Sequence, residues 1–321
     1  MERKVPDMAV APFLAWPPCE LPPGLTALHA ENLQEPHRRS FEELARHGYT
    51  IIDIPDAGWL DTCERARSAT KPELQHASRV QDAWKRHEPV RQLAISPSIE
   101  ELLCAAYGRA PIPFQTLNFA RGTEQETHSD AWHFHCIPER WLCGVWVALE
   151  DVDEENGALH VYPGSHRLPI IGPDDLTMPA NGDWEGQYQN AMDAIVRGYD
   201  LSKEIVRLKR GQAVVWAANL LHGGEPVRDR TRTRWSQVTH YYFCNCAYYL
   251  PRRSDVLGGD VRLRHVMDIR TGNNVPHCHR GKVLRPTAEQ SFWEKPTLGG
   301  FLRVVAERLL ATLGRRLRSR Q

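Results

Sequence analysis

The sequence predicts a mainly β fold in which helices pack outside an antiparallel sheet or double sheet. Three observations predict it. Residues from about 58 to 108 carry mostly helical patterning, and from about 112 the chain changes to short segments rich in β-branched and aromatic residues. Those segments are separated by turn signals such as DEENG, KRGQ and HGGE. The length, 321 residues, allows one large domain with a substantial core, or two small ones.

Each element follows from local pattern. Residues 1–36 are rich in proline and read as an N-terminal arm or irregular loop. Ser40 reads as an N-cap, and Glu43 three residues later completes a capping box for the helix FEELARH. Gly48 suits the helix end, and YTIIDI follows as a strand. Between 58 and 108, IEELLCAAYG is the clearest helix. The strands are FQTLNFA, WLCGVWVALEDV, ALHVYP, EIVRLK, AVVWAA and RWSQVTHYYFCNC. Residues 172–205 interrupt them with Gly, Asp, Asn and Pro, an insertion long enough to act as a lid over a main body spanning 37–250. A C-terminal extension, 251–321, ends in the basic amphipathic pattern FLRVVAERLLATLGRRLRSR, for which weak contact with an anionic membrane surface is expected.

Composition excludes several classes of function. Lysine plus arginine equals aspartate plus glutamate, so no global charge argues for nucleic acid as a partner. No apolar run reaches the roughly 20 residues needed to span a bilayer. The N-terminal apolar stretch is short and broken by prolines, unlike a signal peptide, and a cytoplasmic location is expected. The eight cysteines are scattered, which argues against a disulfide framework. Cys244, Cys246 and the triplet His277-Cys278-His279 offer zinc-ligand types, but the one-residue spacing is tighter than a structural zinc knuckle uses, so they read as thiols.

The chemistry-bearing segment is Glu126-Thr127-His128-Ser129-Asp130. In an extended chain residues i and i+2 share a face, so His128 and Asp130 are placed to hold one metal ion. Two ligands are too few. His222, after the strand AVVWAA and before two glycines that let the backbone turn close to a site, is the best third. Two histidines and a carboxylate on one octahedral face define the facial triad of non-haem Fe(II) oxygenases, which leaves positions open for co-substrate and O₂. An isolated His-x-Asp also arises by chance, and a lone histidine is more often a surface residue than a ligand.

The surrounding strings decide between these. HSD at 128–130, GVWVALEDVDEENGAL at 144–159, VYPGSHR at 161–167, and His222-Gly223-Gly224 with a downstream arginine resemble the phytanoyl-CoA dioxygenase family of 2-oxoglutarate oxygenases, over about residues 110–245. The resemblance implies a double-stranded β-helix, a jelly-roll or cupin-like core with iron in its mouth. It implies Fe(II) at His128, Asp130 and His222, and 2-oxoglutarate as co-substrate. The far carboxylate of 2-oxoglutarate is expected on Arg234, which opens Arg234-Trp235-Ser236, in preference to Arg232. Ser236, Trp146 and Thr116 are expected around the same co-substrate, with Asn118 beside Thr116. Gly224 stands where the family often has serine. His166 and the acidic turn at 153–157 read as structural.

The implied activity is hydroxylation of an unactivated C–H bond in a small polar metabolite, with release of CO₂ and succinate. Halogenation is disfavoured because Asp130 fills the place a chloride would take. The alternative is a catalytically silent or non-redox metal-binding protein on the same fold. Arg121, His133, His135 and Arg140, all near the HSD motif, lead to the expectation of a substrate with an anionic or strongly hydrogen-bonding group.

Overall fold

The computed structural model describes residues 16–177, 182–256 and 258–284. The chain opens with α1 (Pro23–Ala30), α2 (His37–His47), β1 (Tyr49–Ile52), α3 (Trp59–Leu74), β2 (Val80–Gln81), α4 (Glu88–Ala94), α5 (Pro97–Tyr107) and β3 (Pro111–Phe119). There follow β4 (His135–Ile137), β5 (Leu142–Ala148), β6 (Leu159–Val161), α6 (Trp184–Gly198), β7 (Glu204–Val206), β8 (Ala213–Ala217), β9 (His222–Gly224) and β10 (Ser236–Phe243). The last described strands are β11 (Ala247–Tyr249), β12 (His277–His279) and β13 (Lys282–Leu284).

Two antiparallel sheets make the jelly roll. The larger runs β1-β8-β5-β10-β3-β2, and the smaller runs β7-β6-β9. Between them lie Phe119, Trp146, Leu159, Val161, Val214, Trp216 and Val238. The outer face of the larger sheet is covered by the helices: Phe41, Cys63, Val90, Leu103 and Tyr107 pack on Cys143, Val145, Val147 and Val215. Strands β5 and β8 are therefore buried on both faces, which is why GVWVA and AVVWA are continuously apolar instead of alternating. Burying each such large side chain contributes about 1.5–3 kcal/mol.

Several expectations are corrected. Helix α2 starts at His37, before Ser40, so Ser40 is interior. Glu43 does not close a capping box; its carboxylate accepts a 2.7 Å hydrogen bond from the Thr50 hydroxyl and ties α2 to β1. The supposed arm is structured from Pro18 onward, and its Glu20 forms a buried 2.8 Å ion pair with Arg140. His222-Gly223-Gly224 is a strand, β9, and not a turn. The 172–205 insertion contains α6, whose Tyr188 stacks on Trp132 with ring centroids 4.1 Å apart. The basic pattern at 301–320 lies outside the described residues. No described helix is long and apolar enough to cross a membrane.

Candidate metal centre and co-substrate pocket

His128 and His222 are brought together by backbone pairing. Each donates its N–H to the other's carbonyl, at 2.8 and 2.9 Å, so the HSD segment extends the smaller sheet beside β9. The chain then leaves the sheet in a 3-10 turn, Asp130–Trp132, which swings Asp130 across the two imidazoles. Tyr188 of α6 holds this turn from outside: its hydroxyl accepts the Ser129 N–H at 2.9 Å.

The result is the one group of three or more ligand-type residues, among those described, able to share a metal ion: His128, Asp130 and His222, all buried, with ligand atoms within 4.8 Å of one another. Both Nε2 atoms lie 3.9 Å from Asp130 Oδ1. Each histidine donates its Nδ1–H to a carbonyl, His128 to Glu126 and His222 to Leu220, both at 2.9 Å. This fixes the tautomers with the Nε2 lone pairs facing inward. The other carboxylate oxygen, Oδ2, accepts a 2.8 Å hydrogen bond from the indole of Trp216, leaving Oδ1 for a cation.

The electrostatics suit a cation. Burial, and then the neighbouring His222, push His128 down to about 4, so it is neutral and able to ligate at neutral pH. Burial also lowers His222. Burial works to raise the Asp130 carboxyl, but the imidazoles of His240, His222 and His128 outweigh it and hold it well below the usual carboxylate range. Gln125 places its side-chain amide 3.2 Å from His128 Nε2; its side chain is exposed and free to swing away from an arriving ion.

The three residues sit on a cavity of about 630 Å³. Arg234 lines it and is itself buried, at 1 % exposure. Its guanidinium donates to the carbonyls of Gly157 and Arg121, leaves Nε unpartnered, and lies 5.2 Å from the centre of the Trp146 ring. Burial pushes it down to about 10, with only Glu150 acting at a distance in the other direction. A buried cation without a carboxylate partner fits an incoming carboxylate such as that of 2-oxoglutarate. Arg232, by contrast, is engaged by both oxygens of Asp153 at 2.9 and 3.1 Å near the surface.

Other expected residues fall differently. Ser236 is buried with an unpartnered hydroxyl, two residues along from Arg234, but does not line the cavity. Thr116 and Asn118 point the wrong way. The cavity face of β3 carries Gln115, Leu117 and Phe119, and strand alternation turns 116 and 118 toward the helices. His133 lines the cavity, whereas His135 stacks on Tyr249 outside it. Arg121 and Arg140 are occupied elsewhere, Arg140 by Glu20 and Arg121 by the Arg230 carbonyl. The 172–205 insertion contributes no described lining residue; it braces the metal turn instead. A Cβ at Gly224 would come within about 3.1 Å of the Thr123–Gln125 segment, whose Thr123 hydroxyl stands where a serine side chain at 224 would reach.

Sequence reasoning missed Trp216, His240 and Gln115. Trp216 looked like any core strand residue, and only the fold shows its indole meeting Asp130. The cysteine and histidine cluster at 244–279 makes no metal site among the described residues.

A family model described as Phytanoyl-CoA dioxygenase (PhyH) matches residues 43–233. The peroxisomal phytanoyl-CoA dioxygenase of Rattus norvegicus is 25 % identical over 221 residues, covering 66 % of this chain and 62 % of the rat protein. The phytanoyl-CoA dioxygenase domain-containing protein 1 of Mus musculus is 30 % identical over 114 residues, 32 % of this chain and 39 % of the mouse protein. The matched stretches thus span less than two thirds of these relatives' lengths. Among solved structures, the epimerase SnoN from nogalamycin biosynthesis, in complex with Fe³⁺, alpha ketoglutarate and nogalamycin RO, superposes with a TM-score of 0.55 at 21 % identity, over 78 % of this chain and 96 % of SnoN. EctD from S. alaskensis with 2-oxoglutarate and 5-hydroxyectoine gives 0.51 at 16 % identity, over 78 % and 87 %. At these identities the structural likenesses speak for the fold alone.

Proposed function

The chain belongs to the phytanoyl-CoA dioxygenase family, and on that premise we propose that it is an Fe(II)- and 2-oxoglutarate-dependent dioxygenase that hydroxylates an unactivated C–H bond of a small polar metabolite. One observation carries the reading: three ligand atoms converge on the same cavity as a buried, carboxylate-free arginine. In this reading His128, Asp130 and His222 hold the iron, and Arg234 takes the far carboxylate of 2-oxoglutarate against the Trp146 ring. When bound, iron and 2-oxoglutarate supply the oxidising chemistry, one atom of O₂ leaving in succinate with CO₂ and the other entering the substrate.

The protein's own part is positioning. The Glu126 and Leu220 carbonyls keep both imidazoles aimed inward, and burial keeps them neutral. Trp216 holds Asp130 so that one oxygen faces the ion. Phe134, Trp216 and Val238 wall the cavity and limit water near the reacting carbon. His133 on the rim offers a hydrogen bond to substrate without a fixed charge.

Succinate formation from 2-oxoglutarate with Fe(II) and O₂, compared between the parent and Asp130→Ala, tests this reading. Turnover in the parent and none in the variant is expected. Equal turnover in both, or none in the parent across a metabolite extract, would overturn it.

A further inference from the structure

Arg234 stands on one side of the ligand triad. On another side the cavity is lined by Gln115 and His240, cross-strand partners on β3 and β10. Both are more than nine-tenths buried, and Gln115 Oε1 and His240 Nδ1 have no hydrogen-bond partner. His240 Nε2 lies 3.6 Å from Asp130 Oδ2, so this part of the cavity adjoins the triad. Phe134 covers His240, with ring centroids 5.1 Å apart.

Above these groups sits Arg264. Its guanidinium carbon lies 4.6 Å from the Phe134 ring centre and 5.0 Å from that of Phe114. No described carboxylate is within ion-pairing distance of it. Arg252 in the same lining is taken by Glu185 at 2.6 Å, and Asp130 is the only carboxylate among the described lining residues. Arg264 is held firmly: its N–H donates to the Tyr248 carbonyl at 2.8 Å, Leu263 bridges Tyr249, and Val266 and Ile269 bury their side chains just downstream. Arg264 lies beyond the family-matched span, residues 43–233.

The geometry points to Arg264 as the residue that binds an anionic group, carboxylate or phosphate, on the substrate, with Gln115 accepting a hydrogen bond from a hydroxyl or amine nearer the metal. The inference rests on the oxygenase reading for its choice of which part of the cavity takes substrate. A guanidinium resting on aromatic rings keeps its N–H edges free, and those edges match an oxyanion in a two-point pair. A buried amide oxygen left without a partner is costly, and a substrate donor removes that cost.

Calorimetry on the full chain, loaded with Fe(II) under argon, provides the test. 2-Oxoglutarate is titrated first, and its heat reports the oxygenase reading by itself. With 2-oxoglutarate saturating, so that Arg234 is occupied, inorganic phosphate and benzoate are then titrated into the parent, Arg264→Gln, Arg264→Lys and Arg262→Gln. Arg262 lies two residues away and pairs with Asp260, so its variant controls for general loss of charge. Binding of phosphate, benzoate or both to the parent and to Arg262→Gln, weakened roughly tenfold or more in Arg264→Gln and less in Arg264→Lys, is the expected result. Preference for phosphate or benzoate then tells which oxyanion the site takes. Equal binding in Arg264→Gln, or no binding of either anion to the parent, would overturn the proposal. Absent 2-oxoglutarate binding in the parent would sink the oxygenase reading, and with it this assignment, at the first step.

Discussion

Replacing Arg234 by methionine separates a functional cation from a structural one. Burial takes this guanidinium from an ordinary 12.5 to about 10, so holding it charged at neutral pH costs the fold on the order of 3 kcal/mol. The sign follows from the direction: a base lowered on folding is destabilising wherever it is protonated in both states, which covers all pH values below about 10. Methionine fills similar space and removes that cost. It also strands the Gly157 and Arg121 carbonyls, at about 1–1.5 kcal/mol each. The two effects nearly cancel, so metal-free Arg234→Met should unfold within about 1 kcal/mol of the parent. Affinity for 2-oxoglutarate should fall by about 2–5 kcal/mol, since a buried carboxylate pair is lost. Urea unfolding of the metal-free protein reads the first quantity, and urea unfolding of the metal-loaded protein with and without saturating 2-oxoglutarate reads the second. The parent should gain stability from 2-oxoglutarate and the variant should gain almost none. A variant destabilised by more than about 3 kcal/mol without ligand, yet still stabilised by 2-oxoglutarate, would show that Arg234 is an internal strut and that the carboxylate binds elsewhere.

Other outcomes follow from the same geometry. Alanine at His128, Asp130 or His222 should abolish Fe(II) binding by anaerobic titration while leaving the far-ultraviolet spectrum unchanged; retained stoichiometric binding in any of the three would remove that residue from the ligand set. Trp216→Phe frees Asp130 Oδ2, and Fe(II) affinity should drop about 10- to 100-fold with little loss of stability. Tyr188→Phe leaves the Ser129 N–H buried and unpaired, which should cost about 1–3 kcal/mol in denaturant unfolding; an unchanged midpoint would mean that α6 does not brace the metal turn. Burial lowers His166 to about 3 and His277 to about 4, so the unfolded chain binds more protons than the folded one from about pH 6.5 down to those values. Stability of the metal-free protein should therefore decline as pH falls from 7 to 5, and a flat profile would contradict the burial of these imidazoles.

Much of the fold was legible because the strands are separated by unambiguous turns, and the GVWVALEDV and HSD strings sit in a recognisable order. The His128-Ser129-Asp130 spacing was legible as a motif, although the extended segment expected for it ends at Ser129 and a 3-10 turn carries Asp130 toward the imidazoles. What escaped was everything set by pairing across the chain. Thr116 was placed in the pocket because nothing in a single strand reveals which of its two faces is turned inward, and the answer came out as Gln115 and Leu117. His240 and Arg264 meet the cavity only through the β10–β3 register and the return of the C-terminal segment onto β11. Ser40 misled because the capping pattern is short-range, while the real helix start is set by packing of Phe41 and Leu44 on the sheet. Arg234 over Arg232 was favoured by its neighbours in sequence, and its burial beside Trp146 gives that preference a physical basis.

Gly144 extends the reach of the metal site into the middle of the larger sheet. A Cβ there would lie 2.3 Å from the Trp216 ring, so the indole that steadies Asp130 lies across the bare backbone of β5. The absence of one methyl group is thus a component of the proposed metal site, though it touches no ligand. A drift to alanine at 144 would look like a mild change in a buried strand and act like damage to the carboxylate, tilting the indole and with it the oxygen meant for the ion. In this chain the line between residues that build the scaffold and residues that run the reaction passes through a side chain that is not there.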